Sequence, residues 1–142
     1  DPNHYILWPD MVAAHPRQDF LWEQTCFEIF IGVQGEDFYR EINLSPSQAW
    51  QAYQFEEYRY PEDMPPQAAD DIELNQLKRT HYGLNVSVDL TDFMATHKLK
   101  WENLFLGLSA VLKTSQGDQY YAMQHSSPQA DFHNKRDWLH VF

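Results

Sequence analysis

The residue types able to do chemistry concentrate in a few stretches. Leu21–Gly32 reads LWEQTCFEIFIG: a tryptophan, the chain's single cysteine and a glutamate among alternating apolar residues. In an extended chain, residues of one parity share a face. Thr25, Phe27, Ile29 and Ile31 then form an apolar face, and Trp22, Gln24, Cys26, Glu28 and Phe30 form the other. A carboxylate between a cysteine and a phenylalanine is costly to bury without partners. Glu28 therefore implies an exposed face, an ion pair with Arg40, Arg59 or Lys113, a calcium ion, or a ligand whose hydroxyls donate to both of its oxygens. Facing Glu41, it would also meet the two-carboxylate requirement of glycoside cleavage, although nothing in the spacing sets their separation.

The other candidates are sparser. Cys26, mid-strand between aromatics, reads as a small buried hydrophobe. Asn43, Ser45, Pro46 and Ser47 suit a turn whose side chains bond their own backbone. His133, in Asp131–Phe132–His133, suits a hydrogen bond to a carboxylate or a metal. The acidic pairs Glu36–Asp37, Glu62–Asp63 and Asp70–Asp71 offer loop oxygens to structural calcium without the spacing of a dedicated loop, and read as solvated surface. There is no nucleophile–His–Asp arrangement and no glycine-rich phosphate loop in a strand–turn–helix context.

Short strands must position these groups. The pattern predicts strands over Phe38–Leu44, with Tyr39, Glu41 and Asn43 on one face, and over Ala49–Tyr60, with Tyr53 and Phe55 opposite Trp50. Pro61–Asp71 is a loop. Ile72–Lys78 and Leu84–Leu90 form two strands about a turn, and Thr91–Trp101 suits a short helix capped by Thr91 or Asp92. Leu104–Leu112 is apolar on both faces, as a central strand is. Gln116–Asp118 turns it into Gln119–Gln124, and Trp138–Phe142 is a closing strand. Many short strands with little helix predict an all-β fold, a single antiparallel β-sandwich of jelly-roll or Ig-like type over residues 1–142.

Bulk properties narrow the partners. A hydrophobic content of 43% is enough for a real core, and 15% aromatics favour strands and recognition surfaces. The net charge of −11 repels nucleic acid and anionic membrane surfaces and suits neutral ligands, cations or a basic partner. One cysteine rules out an internal disulfide and a thiolate zinc cage. No apolar run is long enough to span a bilayer, and no signal-like segment opens the chain, so a soluble protein is expected. The start, DPNHYILW, enters a strand-like pattern almost at once, as an N-terminally truncated piece would.

Three blocks stand out together: Leu21–Gly32, YREINLSPSQAWQAYQFEEYR (Tyr39–Arg59) and GLSAVLKTSQGDQYYAMQHSSPQADFH (Gly107–His133). In this order they resemble the bacterial DOMON-like domains related to family-nine carbohydrate-binding modules. The resemblance rests on W-x5-E-I-F, on E-I-N-x-x-P and on the late D-F-H, and covers about Leu21 to Phe142. It implies a non-catalytic jelly-roll sandwich that holds a terminal sugar between two aromatic rings, often with structural calcium.

Residue by residue, the resemblance places Trp22 on the first clamp tryptophan and Glu28 on a sugar-contacting glutamate. The second clamp falls near Tyr121, and Glu41 stands where the family carries an arginine. A flat ring covers the C–H face of a pyranose while polar neighbours take its hydroxyls. Asn43, Gln124 and His133 are further candidates for that site, with His125 beside Gln124. The wider superfamily includes haem binders, so His133 or His125 with Met123 form an alternative axial pair. A third reading is a structural or partner-binding domain whose sugar site has degenerated.

Overall fold

The computed structural model describes residues 6–122 and 131–139. Among these, seven strands form two antiparallel sheets, an all-β sandwich. The large sheet contains β1 (Cys26–Val33), β2 (Tyr39–Leu44), β3 (Trp50–Phe55), β6 (Leu104–Thr114) and β7 (Gly117–Ala122), in the order β3-β2-β1-β6-β7. β4 (Glu73–Arg79) and β5 (Leu84–Asp89) pair as a separate hairpin. The only α-helix among the described residues, α1 (Thr91–Thr96), follows β5.

The period-two pattern sorts the large sheet into two unlike faces. Residues directly opposite one another share a face, so Ile29, Ile42 and Leu108 lie on one side and Glu28, Asn43 and Ser109 on the other. The first side is aliphatic. Ile31, Val33, Ile42, Leu44, Ala52 and Leu104 pack there with Leu77 of the hairpin and Phe93 of α1. Arg40 projects to this side as well and forms a bidentate pair with Asp71, with Nε 3.1 Å from Oδ1 and Nη2 2.8 Å from Oδ2. That pair and the Phe93 ring beneath the guanidinium tie the 61–71 loop to the core.

The second side is aromatic. Phe30, Tyr39, Tyr53 and Phe55 pack there with Trp138, which the chain's last described segment lays across the sheet. Two glycines make room for the indole. A Cβ on Gly107 would stand 2.3 Å from Trp138 Cδ1, and one on Gly32 would stand 2.8 Å from Cζ3. Gly32 therefore does not end β1, as its type suggests, but sits inside a strand that runs on to Val33.

Other boundaries shift for identifiable reasons. The strand expected to reach Tyr60 stops at Phe55, where Glu57–Tyr60 closes a tight turn through a Tyr60 N–H to Glu57 C=O bond of 3.0 Å. The helix is shorter than Thr91–Trp101, and the Asp89 side chain accepts the Thr91 N–H at 2.8 Å, so neither expected residue is the cap. Asn43 lies inside β2; the side-chain-bonded turn starts at Ser45, whose Oγ accepts the Ser47 N–H at 3.0 Å. Of the expected closing strand Trp138–Phe142, residues 140–142 lie outside the described residues; Trp138 follows a 3₁₀ turn, Lys135–Asp137, and Leu139 bridges Leu106 through two 2.7 Å bonds. No helix among the described residues is long and apolar enough to cross a membrane.

Candidate functional site

The aromatic side of the large sheet opens into a cleft of about 600 Å³. Its floor comes from strand residues of a single face of the sheet: Glu28 of β1, Glu41 of β2, Phe55 of β3, Val111 of β6 and Tyr120 of β7. Trp22, Phe132 and His133 form further walls, and the proline-rich loop supplies Pro61, Glu62, Asp63, Met64 and Pro66. Four aromatic side chains and four carboxylates thus share one depression with Arg59 and His133.

Trp22 reaches the cleft by a route that strand parity does not describe. β1 begins only at Cys26, and Trp22 belongs to a 3₁₀ turn, Leu21–Glu23. Phe20, at φ 64°, adopts the left-handed conformation just before that turn and redirects the chain. Leu21 is buried against Cys26 and Ala49, which leaves Trp22 on the cleft side. Its ring meets Phe20 and Tyr53 edge-on, with centroids 5.3 and 5.9 Å away. Tyr53 is fixed by donating to Asp19 Oδ1 at 2.9 Å.

Glu41 and His133 are joined. His133 Nε2 lies 3.0 Å from Glu41 Oε1, and His133 Nδ1 lies 2.7 Å from the Tyr39 hydroxyl. That hydroxyl also accepts the Arg59 backbone N–H at 3.0 Å. The tautomer that satisfies every group has the Tyr39 O–H donating to Nδ1 and the Nε2–H donating to Glu41. Burial raises the Tyr39 hydroxyl pKa well above its ordinary value, so it remains a donor.

Glu28 is placed differently. Only 7% of it is exposed, and its one hydrogen bond among the described residues comes from the Ser109 hydroxyl at 3.3 Å. Burial, and then the Glu41 carboxylate, push Glu28 well above the usual carboxylate range; the Ser109 bond and the Arg59 charge offset this only in part. The cations proposed as its partners are committed elsewhere: Arg40 to Asp71, Lys113 to Asp118 and Arg59 to Asp131. Asp131 also accepts from the Tyr58 hydroxyl. Burial alone would raise Asp131, but the Tyr58 and Arg59 contacts override it and hold it below its ordinary value.

Asn43 stands directly across from Glu28 on the neighbouring strand. It is fully buried, and among the described residues neither its amide nitrogen nor its oxygen has a hydrogen-bond partner. Cys26, on the same face, is fully enclosed, and burial followed by the two glutamates pushes its thiol up, away from thiolate reactivity.

The cleft thus brings together Trp22, Glu28, Glu41 and His133, with Asn43 beside Glu28. Tyr121 is not among its walls. β7 pairs Tyr120 with Val111 and Tyr121 with Ala110, so the two tyrosines take opposite faces. Tyr120 lines the cleft, while Tyr121 is exposed and its hydroxyl donates to Gln119 Oε1 at 2.6 Å. Gln124, Met123 and His125 lie outside the described residues.

Sequence reasoning also missed Phe55, Arg59, Met64, Tyr120 and Phe132. Phe55 could have been found, since it shares parity with Tyr53. Among the described residues, no three His, Cys, Asp or Glu side chains converge as a metal site requires. Among the acidic pairs considered for calcium, Asp71 binds Arg40, Asp63 accepts from Gln67, and the backbone carbonyls of Glu36 and Asp37 accept from Lys135 Nζ. Comparison with protein-family models, curated proteins and solved structures finds no match to this chain.

Proposed function

We propose that this domain is a non-catalytic carbohydrate-binding module that holds a sugar ring in the aromatic cleft. One observation carries the reading: Trp22 and Tyr120, remote in sequence, line the same depression as two buried carboxylates. The aromatic rings offer flat apolar surface to the C–H face of a pyranose, and Glu28, Glu41, Arg59 and His133 offer acceptors and donors to its hydroxyls. The cleft volume falls within the range of about 300–1,000 Å³ typical of small-ligand sites. The likeness of Leu21–Gly32 and Asp131–His133 to carbohydrate-binding sandwiches supports the same reading. Glu41 replaces the arginine of those domains, while Arg59 brings a guanidinium to this cleft from the end of the β3 turn.

Calorimetric titration with a panel of soluble mono- and disaccharides tests the proposal. At least one sugar should bind the native protein and fail to bind Trp22→Ala, with the melting curve of the variant little changed because Trp22 is only half-buried. Equal affinity in both proteins, or no binding by any sugar, would overturn it.

A further inference from the structure

We infer that the cleft selects a ligand bearing an ammonium group on a small ring, as in a hexosamine, with the nitrogen set against Glu28. The inference rests on the reading of the cleft as a binding site and adds the charge of what it takes.

Three observations converge on it. The first is the charge balance of the walls. Glu28, Glu41, Glu62 and Asp63 face two basic side chains, and both of those are occupied: Arg59 by Asp131 and His133 by Glu41. Among the described residues Glu28 is the deep carboxylate left without a cationic partner.

The second is the carboxylate at the floor. Among the described residues Glu28 has one long hydrogen bond, although it is more than nine-tenths buried. Buried polar groups left short of partners are rare and call for an occupant. A protonated amine has three donors and no acceptor, which matches the unmet carboxylate oxygens of Glu28 at the cleft.

The third is the surrounding walls. Trp22, Phe55, Tyr120 and Phe132 present aromatic surface to the same space, which attracts a desolvated cation through the ring quadrupoles. The chain as a whole carries a net charge of −11, which draws cations to the cleft.

Proton release gives this binding mode a signature. Glu28 is held towards its protonated form, so an incoming ammonium group must displace that proton to gain a full charge pair. Glu41, His133, Arg59, Glu62 and Asp63 face the same space, and their contributions are separated by substituting Glu28 alone.

The test is calorimetry with glucosamine, glucose and cyclohexylammonium at pH 7 in two buffers of different ionisation enthalpy. Glucosamine should bind about tenfold or more tighter than glucose, the gain of a charge-assisted contact. It should also release protons where glucose releases none. Glu28→Gln keeps the shape and removes the charge, and should abolish both the preference and the proton release. Glucose binding as tightly as glucosamine would overturn the inference and leave the sugar reading standing. Cyclohexylammonium binding that depends on Glu28, with no binding of either sugar, would support the charge assignment and overturn the sugar reading. Binding by none of the three would overturn both.

Discussion

Glu28 and Asn43 face each other across the β1–β2 pair, both buried, and among the described residues the two side chains share a single hydrogen bond, from Ser109. A folded protein tolerates such a pair only at a cost, since each unsatisfied buried polar group forfeits about 1–3 kcal/mol. The cost falls at the junction of β1 and β2, where Glu28 borders the cleft.

The first consequence is a pH dependence of stability. Glu28 titrates well above the usual carboxylate range when folded, because of its burial and the neighbouring Glu41. A carboxyl raised in this way favours the folded state fully below its unfolded pKa, and that contribution is lost as pH rises through the folded value. The melting temperature of the wild type minus that of Glu28→Gln should therefore fall as pH rises through that window. Other groups, such as Asp131, which is held low and contributes with the opposite sign, cancel in the difference. A difference curve that is flat from pH 4 to pH 9 would contradict the assignment.

A second prediction concerns the indole that covers the sheet. Trp138 is buried, stacks on Phe30 with centroids 5.3 Å apart, and donates its Nε1–H to the Phe132 carbonyl at 3.0 Å. Gly107→Ala drives a methyl group into that ring at 2.3 Å, a distance no side-chain contact sustains. The ring must move, and the segment that carries Phe132 and His133 must move with it. Overpacking of this kind costs about 1–3 kcal/mol. Urea unfolding should show the loss, with a changed tryptophan emission in the folded baseline. Wild-type stability in Gly107→Ala would mean that the indole does not lie against Gly107.

Much of this frame was legible in the sequence, because period-two patterns survive in isolation. Phe27, Ile29 and Ile31 separate from Cys26, Glu28 and Phe30 as alternation dictates, and Tyr39, Glu41 and Asn43 share a face as expected. What the sequence withheld is what depends on register and on long-range contacts. Adjacent tyrosines on β7 differ only by one step of pairing, and one step exchanges the faces. The tight turn between Thr114 and Gly117 sets that step, placing Tyr120 opposite Val111 and hence in line with Cys26 of β1. The role of the 61–66 loop as a wall, and the meeting of Glu41 with His133, follow from tertiary packing that no local pattern encodes.

The β7 register yields a third prediction. In titrations with whichever sugar the native protein binds, Tyr120→Ala should weaken binding about tenfold, an amount reasonable for one lost aromatic contact. Tyr121→Ala should leave affinity unchanged, since its ring lies on the opposite face and its hydroxyl is bonded to Gln119. The reverse order of effects would show that β7 pairs one residue out of step.

The final prediction tests the bonded chain that runs from the Arg59 backbone through Tyr39 and His133 to Glu41. His133→Ala deprives two groups at once: the Tyr39 hydroxyl of its acceptor and the buried Glu41 of its donor. Removing one partner of a buried, hydrogen-bonded pair leaves the other with its desolvation penalty, so a loss of about 2–4 kcal/mol is expected at neutral pH. Glu41→Gln removes the charge and keeps the shape, and against that background His133→Ala should cost less by about 1 kcal/mol or more. Guanidinium unfolding of the two single variants and the double variant measures the coupling. Strict additivity would mean that His133 acts through its packing on Phe30, 4.9 Å from its ring centroid, and not through Glu41.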